Sequence, residues 1–153
     1  MLKHLLIFAF MVSSVVLSAQ LNFSGTTVGA PTAKFPNFGA TPANCSSNLN
    51  TVSEPYRVFT FKATNTTTVT VNFTNIIDGG GTDDTGFSWY TGTAFNPANA
   101  CTNFIAVGEN LGSANKTINV VANTSYSIAV IGIFGTTDAF AFTLTAAAGT
   151  ESA

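Results

Sequence analysis

The chain has 153 residues, only 8% of them charged, with a formal net charge of −2. That length suits one domain around a single core, and so few cations cannot neutralise a row of phosphates, which excludes nucleic acid as a partner. The charged fraction is far below the ~25% of ordinary soluble domains, so Thr, Ser and Asn must supply the polar surface, and such a surface resists self-association poorly.

Residues 1–19 read as a secretory signal: Lys3 and His4 form a cationic start, Leu5 to Leu17 an apolar run, and Ser18-Ala19 a small-residue end suited to cleavage before Gln20. The run of about 13 residues is short of the ~20 that span a bilayer, so no membrane span is expected after cleavage. Gln20 rather than Cys follows the cleavage point, which argues against a lipid anchor. The expected location is extracellular or at the cell surface. His4 is the single His, so the processed chain carries no imidazole, the commonest general base and metal ligand. Ser-His-Asp and Cys-His nucleophile chemistry are thereby excluded, and no enzyme is expected.

Residues 20–52, rich in Pro, Gly and Asn, read as an irregular leading segment packed on the body. It contains Cys45, and Cys101 is the only other cysteine. In an exporting compartment the two are expected to pair, since zinc would need more ligands and a catalytic thiol would need a base. Closing a loop of that size stabilises a fold by about 4 kcal/mol in the chain-entropy account.

From residue 53 to 148 the dominant signal has period two. In Thr68 to Phe73, Val69, Val71 and Phe73 share one face while Thr68, Thr70 and Asn72 share the other, as in a half-buried strand. The alternation recurs in Tyr56 to Ala63, Lys116 to Val121, Ser125 to Ile131 and Ala139 to Thr145, and Phe87 to Thr91 and Phe104 to Val107 complete the middle. Clusters of Gly, Asn, Asp and Pro punctuate these runs. The pattern predicts an all-β fold of about eight strands, an antiparallel two-sheet β-sandwich of jelly-roll-like form, with a closed barrel as the rival. Residues 149–153 read as a short tail.

Two features are candidate sites. Asp78, Asp83 and Asp84 flank a glycine run, Gly79 to Gly81, and with loop carbonyls and Glu109 they offer part of the six to eight oxygens that calcium takes. Their spacing matches neither an EF-hand nor a glycine-aspartate nonapeptide repeat, and a long turn with positive-φ glycines and solvated aspartates is the preferred reading. Calcium is thus the one ion considered, and no other cofactor is expected. Downstream, Phe87 and Trp89 share one face of a strand and Tyr90 points the other way. An exposed Trp89 with Tyr90 would form a platform for glycan stacking; burial of a lone Trp in the core is the preferred alternative. A glycosidase pair of carboxylates is not expected from aspartates in a glycine-rich turn.

The succession Tyr56-Arg57-Val58-Phe59-Thr60-Phe61, Asp84-Thr85-Gly86-Phe87-Ser88-Trp89-Tyr90-Thr91-Gly92, Phe95-Asn96-Pro97-Ala98-Asn99 and Asn123-Thr124-Ser125-Tyr126-Ser127-Ile128-Ala129-Val130 resembles the bacterial pre-peptidase C-terminal (PPC-like) β-sandwich domains over about residues 22–147. The resemblance implies a noncatalytic module of a secreted protein, of a kind in which some members bind calcium, matrix protein or polysaccharide. Gly86 and Ser88 depart from it, standing where bulky apolar residues are usual, and Glu109-Asn110 replaces the common Asn-Asp pair. The expected function is extracellular adhesion or accessory binding of polysaccharide or protein. The alternative is a structural subunit of an extracellular or cell-surface assembly, self-associating through strand edges.

Overall fold

The alternating runs fold into ten antiparallel strands in the computed structural model, which describes residues 19–77, 85–110, 116–133, 139–146 and 150–152. In chain order they are β1 (Ala19–Thr26), β2 (Thr32–Ala33), β3 (Glu54–Ala63), β4 (Thr67–Ile77), β5 (Thr85–Thr91), β6 (Phe104–Asn110), β7 (Lys116–Val120), β8 (Thr124–Gly132), β9 (Ala139–Ala146) and β10 (Thr150–Ser152). One sheet has the order β1-β9-β4-β7 and the other β10-β3-β8-β5-β6, with β2 also on β3. Four antiparallel pairs, β1 with β9, β3 with β8, β4 with β7 and β5 with β6, are nested within one another along the chain. Alternate pairs join opposite sheets, so the chain is a long hairpin rolled into a jelly-roll sandwich. The rolling lets each sheet bury an apolar face against the other.

The core between the sheets holds the inward parity of every long strand. Val69 and Val71 of β4, Phe87 and Trp89 of β5, Ile128 and Val130 of β8, and Phe142 and Leu144 of β9 all lie at 0–1% exposure. Aromatic rings do most of the filling: Phe23 stacks on Phe142 at 5.0 Å, Phe59 meets Phe142 edge-on at 5.3 Å, and Phe61 lies between Trp89 and Tyr126, each at 5.4 Å. Each such ring stabilises the fold by about 1.5–3 kcal/mol relative to exposure. Outside, the first sheet presents a neutral face, on which Thr70 and Thr117 share a hydroxyl hydrogen bond of 2.8 Å across β4 and β7. Hydroxyls and amides there take the place of the missing charges.

The second sheet has no such solvated face. Its outer side carries Tyr56, Tyr90, Phe104, Val107, Ala129 and Ile131, and these pack against Ala33 of β2 and against Phe35, Ala40 and Cys45 of the segment between β2 and β3. Phe35 is wholly buried and stacks on Phe95 at 4.8 Å. The segment is a strap with its own backbone bonds, Asn37 N–H to Asn48 O at 2.7 Å and Asn50 N–H to Phe35 O at 2.8 Å. Cys45 and Cys101 are joined, with Cα atoms 5.7 Å apart, which ties the strap to the β5–β6 connection. β5 and β8 are therefore covered on both faces, with every residue from Thr85 to Tyr90 buried.

Two boundaries differ from the sequence expectation. Residues 19–26, placed there within the signal and the irregular segment, form an eight-residue strand paired with β9 from Ala19↔Ala146 to Thr26↔Ala139. Leu21, Phe23 and Gly25 are half-buried between exposed Gln20, Asn22 and Ser24, so the period-two signal was present at a position next to the signal's apolar run. Thr150–Ser152, expected as tail, pairs with Phe61 to Ala63 of β3. Among the described residues no helix is long and apolar enough to cross a membrane.

Candidate functional site

The acidic loop expected to offer calcium ligands, Asp78, Asp83 and Asp84, lies outside the described residues. The backbone of Glu109 is on β6, opposite Gly86 of β5. Among the described residues no three His, Cys, Asp or Glu side chains come together.

The glycan platform considered at Trp89 and Tyr90 is corrected by their burial, and Trp89 takes the core position preferred from the sequence. Both are 0% exposed, so neither ring has a face to offer a sugar. As alternation requires, they point to opposite sides of β5, Trp89 into the core between the sheets and Tyr90 into the layer beneath the strap. The physical reason is the strap, which covers the face that a simple two-layer sandwich would leave wet.

Burial under the strap has left polar atoms without partners. Ser88 Oγ, Tyr90 Oη and Ser127 Oγ are buried with no hydrogen bond, as is Trp89 Nε1 on the other face. Tyr90 stands directly across from Ser127 in the β5–β8 register. Loss of hydration pushes the Tyr90 phenol well above its ordinary value; the Ser88 hydroxyl opposes this weakly and falls short of hydrogen-bond geometry. These groups are sealed from solvent and cannot meet a ligand in this arrangement.

An accessible recess lies where the strap leaves and rejoins the sandwich. There a cleft of about 430 Å³ is lined by Asn37, Phe38, Asn50, Thr51 and Val52. Glu54, the first residue of β3, and Ile133, just beyond β8, also line it. The volume is in the range of small-ligand sites. Phe38 is held at the corner of a tight turn: Ala40 N–H donates to Asn37 O at 2.9 Å, and Gly39 has a φ of +88°, the positive value that the third residue of a type II turn requires. Phe38 is 44% exposed and Val52 is 55% exposed.

Gly86 explains how the ring is seated. A Cβ on Gly86 would stand 3.4 Å from Phe38 Cζ and 3.0 Å from Ile133 Cδ1. The tip of Phe38 thus rests over the bare backbone of β5, and a bulky residue at this position would press on Phe38 and Ile133. Among the described residues no hydrogen bond engages the side-chain amides of Asn37 or Asn50. Glu54 is 1% exposed and has a partner within the protein, so it does not present a free charge to the cleft.

Sequence reasoning missed this site. The signal was Pro36-Asn37-Phe38-Gly39, an aromatic between two turn formers, which a core-seeking ring would avoid. No protein-family model matches the chain, and no curated protein matches it.

Proposed function

We propose that the protein is a secreted, noncatalytic β-sandwich module that works by binding, in extracellular adhesion or as an accessory to a partner acting on polysaccharide or protein. The observation that carries this reading is the Phe38 cleft: an open recess with an exposed ring and uncommitted amides, and with its one carboxylate buried. Such a surface can hold a ligand, but it offers no exposed acid and base to transform one. The leader-like residues 1–19 and the Cys45–Cys101 bridge support an oxidising, extracellular setting. The segments that resemble PPC-like domains fall on β3, β5 and β8 and on the connection after β5.

The test is retention on insoluble extracellular matrix. The purified protein should be retained, and Phe38→Ala should release it with its melting temperature unchanged. Absence of retention, or measurable turnover of a matrix polymer, would overturn the reading.

A second reading, a structural subunit of an assembly, is favoured by the edges: among the described strands β6 pairs with β5 alone, and β7 with β4 alone. Ordered oligomers by size exclusion and electron microscopy, formed without ligand, would favour it over the module.

A further inference from the structure

We infer that the cleft between Phe38 and Val52 binds a neutral hexose unit of an extracellular polysaccharide, with the Phe38 ring against a C–H face of the sugar and the Asn37 and Asn50 amides on its hydroxyls. This rests on the binding-module reading and names the ligand class of that same site.

The first argument is charge. Glu54 is the single ionisable residue in the lining, and it is buried and already engaged. An anion entering this cleft would lose hydration without gaining a counter-charge, which costs far more than desolvating a neutral ligand, and the buried, engaged Glu54 has no free charge with which to recruit a cation. The ligand is therefore uncharged.

The second argument is hydrogen-bonding type. A side-chain amide both donates and accepts, and so does a sugar hydroxyl. Asn37 and Asn50 both line the cleft with these groups uncommitted, and Thr51 adds a hydroxyl next to Asn50. An apolar ligand would bury the amides unsatisfied, at a cost of about 1–3 kcal/mol each. A polyol satisfies them.

Preorganisation is the third. The backbone N–H groups of Asn37 and Asn50 are both tied into the strap, at 2.7 and 2.8 Å, and Pro36 bridges Leu49 between them. The Phe38 ring tip is seated over Gly86. The backbone at Asn37 and Asn50 and the Phe38 ring are thus held before a ligand arrives, which reduces the ordering that opposes binding. A ring held at a rim beside amides fits a pyranose, which has an apolar C–H face and a hydroxyl perimeter.

The experiment is an NMR titration of the isotopically labelled protein with short neutral oligosaccharides of β-1,4-glucan, α-1,4-glucan, β-1,4-N-acetylglucosamine and mannan, with affinities from calorimetry. At least one series should shift the amides of residues 37–39 and 50–52. Phe38→Ala and Asn50→Ala should each weaken it roughly tenfold or more, while Val121→Ser, a change at a distant exposed position, should leave it intact. Thermal melts of the variants separate lost binding from lost fold.

Binding that shifts other residues and survives Phe38→Ala overturns the site assignment. Absence of binding by every oligosaccharide, with matrix retention that still depends on Phe38, overturns the saccharide and leaves the module reading standing. Absence of both overturns the two together.

Discussion

Tyr90 and Tyr126 are both buried tyrosines, and the same substitution should move stability in opposite directions. Tyr126 Oη accepts the Val121 N–H at 2.8 Å, so Tyr126→Phe removes a hydrogen bond and leaves a donor behind, a loss of about 0.5–1.5 kcal/mol. Tyr90 Oη is buried with no partner. Its desolvation has already cost the fold about 1–3 kcal/mol, and Tyr90→Phe retains the ring packing against Phe95 at 5.1 Å and Phe104 at 5.9 Å. Tyr90→Phe should therefore be neutral or stabilising by about 1 kcal/mol, and Tyr126→Phe destabilising by a similar amount. In a domain of this size each kcal/mol is about 3–5 °C in Tm, so the two variants should melt several degrees apart. Urea denaturation with an unchanged m-value would confirm that stability alone has moved. If Tyr90→Phe costs more than about 1 kcal/mol, the phenol is bonded in solution, for example through an ordered water shared with Ser88 and Ser127, and the reasoning fails.

The same burial sets a pH dependence: Tyr90 keeps its proton in the folded state to a higher pH than in the unfolded chain, because burial disfavours the phenolate. Its contribution is complete below the unfolded phenol value of about 10 and is lost as pH rises above it; urea midpoints should fall between about pH 9 and 11, and less so in Tyr90→Phe. Replacing Cys45 and Cys101 together by Ser should cost about 2–4 kcal/mol, since the bridge spans 56 residues, and limited proteolysis should then cut within residues 34–52 first; unchanged melting and cleavage would contradict the strap's dependence on the bridge. Gly108→Ala places a Cβ 2.6 Å from Phe87 Cε1, an overpacking of about 1–3 kcal/mol, and an unaltered urea midpoint would mean that the ring has room to swing away.

Much of the sandwich was legible because a strand with one wet face writes its burial into alternate positions. Ile118 and Val120, Ile128 and Val130, and Phe140 and Phe142 are all inward as their spacing predicts. β1 escaped notice although Leu21 and Phe23 alternate with Gln20, Asn22 and Ser24, since a short run beside a leader and a Pro/Gly-rich stretch gives no hint of its partner 120 residues on. Phe38 was illegible as a site for a related reason. A turn tip can be read locally, but what lies beneath it, here Gly86, belongs to a strand far along the chain.

The sequence by itself determined the period-two architecture, the pairing of its only two cysteines, and the opposite directions of Trp89 and Tyr90, because these follow from local backbone geometry and residue inventory. The tertiary structure decided that both directions lead indoors. Alternation says which face a side chain takes, whereas the covering of that face depends on the strap from Ala33 to Val52 folding back over the β3-β8-β5-β6 sheet. That contact is long-range, so the strap buried Tyr90 while the opposite sheet buried Trp89, and Phe38 was left open.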